Sequence, residues 1–312
     1  MDRRGNWQKT KGLFQLRTAA GEEISRPKKL PHHPPGDLMT RLGLWGPELI
    51  AETPIGLVWK VQTPEGRTAA LKLYPPGQFN GESAGFPDLK AAPRKAAVEL
   101  LRWEEGLALM EWLPGPSLAQ CAQDQGLEQA DAELLTVAQI LQGTDLDPGP
   151  MPGLQDRFSA LLDFAFAPPG RDAGQDGLLS ALEQARQLAL ELFANPSAQV
   201  PLHGDLHHGN VKAADRGFCA FDAKGLYGEA CYEMANAFRH PSGMAQEIWQ
   251  PDVIARRARQ WSAGLQVPQD RLLAWAAAKT ALSIIWRWPR SGGHDSEEQL
   301  LWHLLRIYSE RT

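Results

Sequence analysis

Apolar positions change their period near residue 114. Before it they come in short runs at Glu48–Glu52, Leu57–Gln62 and Thr68–Tyr74. Runs of this length, punctuated by Gly and Pro, predict strands, and Pro64-Glu65-Gly66 predicts the turn between the last two. Ala97–Leu101 reads as a further strand, and Glu105–Gly115 as a turn, a strand and a break at Pro114-Gly115. A short helix is expected over 37–48, capped by Asp37, with Leu38, Leu42 and Leu44 facing inward. Beyond residue 114, apolar residues recur every three or four positions. That spacing predicts helices over Asp131–Gln142, Leu154–Ala167, Leu178–Ala194, Ala230–Arg239, 246–264, 269–288 and Ser296–Ser309. The pattern predicts an α+β chain in three parts. Residues 1–36 are a basic, Pro-rich extension, partly disordered; 37–113 are rich in strands; 114–312 are mostly helical.

Composition narrows the class. With 312 residues, 43% of them hydrophobic, the chain can bury a sizeable core in one large or two moderate domains. A formal net charge of −5 argues against a dedicated nucleic-acid binder. The three cysteines, Cys121, Cys219 and Cys231, form no CxxC pair, so neither a disulfide framework nor a zinc ribbon is indicated. No run approaches the roughly eighteen apolar residues of a membrane span. The first residues lack the apolar centre of a signal peptide. A cytoplasmic protein is expected.

Chemistry concentrates in residues 202–222, LHGDLHHGNVKAADRGFCAFD. Asn210 follows Asp205 by five residues, and Asp222 follows Asn210 by twelve, at the end of the apolar run Gly217–Phe221. A tight polar loop, a brief strand, a turn and a second strand would deliver two carboxylates and an amide to one place. Phosphoryl transfer uses these groups: an Asp beside the incoming hydroxyl, and an Asn and a second Asp on magnesium. His203-Gly204-Asp205-Leu206-His207-His208-Gly209-Asn210, followed by Phe221-Asp222-Ala223-Lys224-Gly225, resembles the aminoglycoside phosphotransferase family. The likeness is to its streptomycin 6-phosphotransferase and hydroxyurea phosphotransferase branch. Ala223 stands where that branch commonly has proline.

The resemblance implies a protein-kinase-like two-lobed fold, with a nucleotide-binding lobe over 37–113 and a lobe carrying the catalytic loop and substrate-binding helices over 114–312. It implies ATP and magnesium as cofactors and a small-molecule hydroxyl as acceptor, with no nucleic-acid or membrane partner. Asp205 would accept or orient the hydroxyl proton, His203 would brace the loop, and Asn210 and Asp222 would hold the metal. Lys72 would pair with phosphates. Taken alone, it reads as an exposed strand lysine opposite Leu71 and Leu73. Glu82 is the candidate to orient Lys72; Glu99 falls in a strand. Backbone groups of Glu111, Trp112 and Leu113 would meet the adenine edge. Lys224 would face phosphate or substrate. Glu229 and Glu233 are carboxylates available to a cationic acceptor.

Other motifs give way. Gly81-Glu82-Ser83-Ala84-Gly85 matches the G-x-S-x-G nucleophile elbow, but Pro75-Pro76-Gly77 precedes it where that motif needs a strand. The glycines read instead as a loop entering a helix. His203 and His207 have helical spacing, yet Gly204 and Gly209 oppose a helix, and no further zinc ligand accompanies them. The tryptophans at 249, 261, 275, 286, 288 and 302 read mostly as core, with one available to stack on a sugar. The acceptor expected is an aminoglycoside such as streptomycin. A metabolite kinase of the same fold (for a sugar, amino alcohol or glycated amine) and a silent nucleotide-binding pseudokinase are the alternatives.

Overall fold

The computed structural model describes residues 33–53, 55–75, 81–143, 149, 151–166, 173–291 and 295–311. Most of the expected N-terminal extension lies outside them. Two compact units emerge: Met1–Phe79 with Glu104–Ala108, and Asn80–Trp103 with Leu109–Thr312.

In the first unit, helix α1 (Gly36–Leu42) stops at Gly43, whose φ of 66° is a left-handed cap. The expected helix is therefore shorter than 37–48. Pro35, rather than Asp37, sits at its N-cap, and Met39 and Leu44 are buried while Leu38 and Leu42 are half-buried. Strand β1 (Trp45–Thr53) begins directly afterwards and pairs antiparallel with β2 (Gly56–Gln62), which pairs antiparallel with β3 (Thr68–Leu73). Gly66, at φ 73°, makes the turn between β2 and β3. With β4 (Leu100–Glu104) and β5 (Leu107–Glu111) the sheet order is β1-β2-β3-β5-β4. Lys72, opposite Val58, is only 1% exposed, so β3 is buried on both faces at its end rather than alternating.

The second unit is a helical core. Its helices are α2 (Phe86–Ala91), α3 (Leu118–Gln125), α4 (Leu127–Gln142), α5 (Leu154–Leu162), α6 (Ala173–Ala194), α7 (Ala245–Ile248), α8 (Pro251–Leu265), α9 (Gln269–Ser291) and α10 (Glu298–Ser309). Helix α3 was not expected. Its sequence, LAQCAQDQ, offers only Leu118, Cys121 and Ala122 to the core, too few to show a period, and its start is set by a Ser117–Gln120 capping box. Residues 230–239 are two 3-10 turns, Ala230–Tyr232 and Ala235–Arg239, rather than one helix. Helix α9 is the spine: Leu272, Leu273, Trp275, Ala276, Ala277, Ala278, Ala281 and Leu282 are all buried, and it packs on α6 and α10. Trp261 and Trp275 are core, whereas Trp286 and Trp302 are exposed.

Two small antiparallel ribbons lie on this core: β6 (Gln199–Leu202) with β9 (Leu226–Glu229), and β7 (Val211–Ala214) with β8 (Gly217–Ala220). The 202–222 segment thus folds as strand, polar loop, hairpin and turn.

Candidate active site

Each side chain of the loop between β6 and β7 has an identifiable restraint. His203 is buried, and burial pushes its imidazole down to about 4, so the ring is neutral. Its Nε2 lies 3.0 Å from the Phe221 carbonyl, which can only accept; Nε2 therefore carries the proton and Nδ1 accepts the Asp205 N–H at 3.4 Å. Glu233 accepts the backbone N–H groups of His203 and Gly204 at 2.8 and 3.1 Å. Burial nevertheless raises Glu233 to about 7. Glu233 therefore braces the loop from beneath, and its carboxylate is committed there.

Asp205 stands next in the same loop. Its Oδ1 accepts Asn236 Nδ2 at 2.9 Å, and its Oδ2 has no hydrogen-bond partner among the described residues. Burial acts to raise its pKa, but His207, Lys279, Lys224 and His203 around it outweigh that and hold the carboxyl below its ordinary value. It is ionised at neutral pH, with one oxygen fixed and the other open. Asn210 Nδ2 donates to the Asp205 carbonyl at 3.0 Å, which fixes the amide with Oδ1 turned away from that bond. The Phe221 N–H donates to the Asn210 carbonyl at 2.9 Å. Asp222 is thereby delivered next to Asn210, with φ of 61°, a conformation uncommon outside glycine.

The turn after Asp222 folds back onto the same loop. Lys224 N–H donates to the His203 carbonyl at 2.7 Å, and Lys224 Nζ meets Glu82 Oε1 at 2.8 Å. Glu82 directly precedes the 3-10 turn Ser83–Gly85. A Cβ on Gly225 would stand 2.2 Å from the Ala84 carbonyl oxygen, and one on Gly85 would stand 2.2 Å from that of Ala223. Gly85 of the G-x-S-x-G lookalike therefore serves backbone-to-backbone packing against this turn, whereas Gly81 has open space around it. Gly225→Ala is expected to cost on the order of 1–3 kcal/mol and to weaken the Lys224–Glu82 pair, because the clash is with main chain and φ is +60°. A thermal melt and the activity of the variant check this.

The two other histidines go separate ways. His208 Nε2 binds Asp131 at 3.0 Å, and Asp131 also holds the buried Arg257 at 2.8 Å and Arg256 at 2.9 Å. His207 stacks on His240 with centroids 3.8 Å apart and accepts the Gly209 N–H through Nδ1. Among the described residues no group of three or more His, Cys, Asp or Glu could hold a metal.

The structure brings His203, Asp205, Asn210, Asp222, Lys224, Glu82 and Glu233 together. Glu229 belongs elsewhere: Arg271 Nε donates to it at 3.0 Å and the Trp275 indole at 3.1 Å, so it does not stand open to an acceptor. Glu111 is held by two Arg216 nitrogens at 2.5 and 2.6 Å, while Leu113 is buried and Lys212 lies 5.3 Å from the Trp112 ring centre. Lys72, in the first unit, lies 5.3 Å from the Tyr74 ring centre. Sequence reading missed Asn236, Asp131, Arg239 and Lys279. Arg239 orients Asn236 by donating to its Oδ1 at 2.7 Å, and Glu297 in turn grips Arg239 at 2.7 and 2.8 Å.

Comparison with known proteins identifies the family of the chain. Residues 44–292 match the model of a family described as aminoglycoside/hydroxyurea antibiotic resistance kinase. The chain is 32% identical to streptomycin 3''-kinase of Klebsiella pneumoniae over 212 residues, 66% of this chain and 75% of that protein. It is 33% identical to hydroxyurea phosphotransferase of Kitasatospora aureofaciens over 251 residues, 74% of this chain and 70% of that protein. Its fold is similar to that of a thermostable mutant of aminoglycoside phosphotransferase APH(4)-Ia, solved with AMP-PNP and hygromycin B. The TM-score is 0.59 at 16% identity, covering 88% of this chain and 98% of that one. The fold is protein-kinase-like, with a small antiparallel-sheet lobe and a helical lobe. The chain belongs to the aminoglycoside/hydroxyurea antibiotic resistance kinase family and is a small-molecule phosphotransferase.

Proposed function

We propose that the chain transfers the γ-phosphate of magnesium-ATP to a hydroxyl of a small molecule. The observation that carries this reading is Asp205, ionised, with Oδ1 fixed by Asn236 and Oδ2 open. An incoming hydroxyl donates to Oδ2, which aligns its oxygen for attack and takes its proton as the bond to phosphorus forms. Asn210 and Asp222 are a fitting pair for magnesium: one neutral oxygen and one carboxylate, hard donors that leave the remaining positions to phosphate and water. When bound, the ion neutralises charge on the phosphates. Lys72 and the backbone of Glu111, Trp112 and Leu113 serve nucleotide in this reading, and Lys224, paired with Glu82, serves phosphate or substrate. Residues 37–113 bind nucleotide and 114–312 hold the acceptor. A cytoplasmic location, where ATP and magnesium are available, goes with this reading. Among the described residues no helix is long and apolar enough to cross a membrane.

Streptomycin is the first acceptor to test. A second reading is favoured by the pairing of the nearby carboxylates. Asp295 is taken by Arg287, and Glu297 by Arg239 and Arg287. A polycation would find few unpaired acids there, whereas a neutral acceptor such as a sugar or hydroxyurea needs none. ADP release from magnesium-ATP, measured with streptomycin, hydroxyurea, sugars and amino alcohols, separates the two. Stimulation by streptomycin alone supports the first, and stimulation by a neutral acceptor alone supports the second. Nucleotide binding with no stimulation by any acceptor would leave a pseudokinase.

A further inference from the structure

Lys279, on α9, is only 2% exposed and has no hydrogen bond or ion pair among the described residues. A buried ammonium normally has a carboxylate partner, because desolvation without one is costly. Two further polar groups nearby are also unpartnered. Arg157 Nε is buried without an acceptor, and so is the Tyr232 hydroxyl. Arg157 and Lys279 both lie over the indole of Trp286, at 4.5 and 4.9 Å from the ring centre, so they converge on one place. Asp205 is close enough to both Lys279 and Tyr232 to act on their charge states. The other charged groups facing Lys279 are Arg239 and Glu297, and Glu297 is already gripped by Arg239 and Arg287. Lys279, Arg157 and the Tyr232 hydroxyl thus offer donors with no oxygen or nitrogen accepting from them among the described residues, and α9 packs on the Ala235–Arg239 turn that carries Asn236, the partner of Asp205.

We propose that Lys279, with Arg157 and the Tyr232 hydroxyl, forms an acceptor-recognition site that takes a carboxylate or carbonyl oxygen of the molecule whose hydroxyl faces Asp205. The proposal rests on the phosphotransferase reading and narrows its substrate class. The acceptor carries a hydrogen-bond-accepting, non-cationic group beside the reacting hydroxyl. A cation at that position would meet two positive charges, the buried Lys279 ammonium and the Arg157 guanidinium. Lys279 is a specificity-determining residue and takes no part in the bond-making step. Burial lowers its pKa to about 7, so an oxyanion bound beside it would favour its protonated form.

The test compares two probes of similar size, glycerate and ethanolamine, each a hydroxyl compound and of opposite charge. Binding is measured by calorimetry on the full chain without nucleotide, for the parent protein, Lys279→Met and Lys279→Arg. The parent is expected to bind glycerate in preference to ethanolamine. Lys279→Met should weaken glycerate binding at least about tenfold, the scale of one charge-assisted hydrogen bond, and Lys279→Arg should restore part of it. Lys279→Met should melt at or above the parent temperature, since it removes an unpaired buried charge. Equal glycerate binding by parent and Lys279→Met, preference for ethanolamine, or no glycerate binding by the parent overturns the proposal. A fall in melting temperature of Lys279→Met by several degrees would also overturn it by making the lysine structural. The binding readout needs no turnover, so glycerate binding without phosphorylation of any acceptor would instead count against the phosphotransferase reading.

Discussion

Asp205→Asn is expected to lower kcat roughly 10²–10⁴-fold, the range for removal of a positioned general base, while the KM for magnesium-ATP stays near the parent value. The substitution keeps shape and keeps an oxygen for Asn236 Nδ2, now 2.9 Å from Oδ1. It removes the negative charge and the proton-accepting oxygen Oδ2. Nothing that fixes the loop depends on that oxygen: Glu233 still holds the His203 and Gly204 N–H groups, and Asn210 still binds the main-chain carbonyl of residue 205. The loss should therefore fall on kcat and leave the melting temperature nearly unchanged. ADP-release kinetics and a thermal melt on the same preparation check both halves. A large rise in the KM for nucleotide would instead place Asp205 in nucleotide binding.

Asp131→Asn is expected to destabilise the protein by about 3–5 kcal/mol, as removal of one partner from a buried ion pair does. Asp131 sits on α4 under the polar loop and gathers His208, Arg256 and Arg257 on its two oxygens. Arg257 is fully buried, so losing the carboxylate strands a guanidinium in the core. At roughly 2–4 °C per kcal/mol, the melting temperature should fall by about 6 °C or more. Asp131→Leu combined with Arg257→Met should recover much of the loss, because it removes both charges. Activity should fall as well, since His208 is tied to this carboxylate and is two residues from Asn210.

The same pair has a pH signature. Burial acts to raise the pKa of Asp131, but His208 and Arg257 outweigh it and hold the carboxyl at about 2. The unfolded value is near 4. Its folded pKa is depressed, so its contribution to stability is fully present above about pH 4 and is lost as pH falls toward 2. The gap in melting temperature between parent and Asp131→Asn, measured from pH 7 down to pH 3, should therefore narrow at the acid end. A constant gap across that range would contradict the assignment.

The polar loop was legible because its members are close in sequence and each turn is marked. Gly204 and Gly209 break any helix, and the apolar run Gly217–Phe221 announces the strand that carries Asp222. Strands β2 and β3 were legible for a similar reason, since Pro64-Glu65-Gly66 separates two runs of β-branched and apolar residues. What holds the loop was not legible. Asp131 lies 77 residues from His208 and 126 from Arg257, and Asn236 lies 31 from Asp205. An acid inside an apolar helical pattern reads as a surface position until its distant partners are known. Residues 230–239 looked helical because a 3-10 turn repeats every three residues, which over ten positions imitates the helical period. Glu229 and Glu233 looked open to substrate for the same reason in reverse: sequence shows the carboxylate but not the Arg271 side chain or the backbone N–H groups that occupy it.

The most direct test is mass spectrometry of the acceptors after incubation with magnesium-ATP, run with the parent protein and with Asp205→Asn. The expected result is an acceptor heavier by one phosphate, formed in proportion to the ADP released, dependent on magnesium and almost absent with Asp205→Asn. ADP release with no acceptor phosphorylated, or equal product from Asp205→Asn, would contradict hydroxyl activation by Asp205.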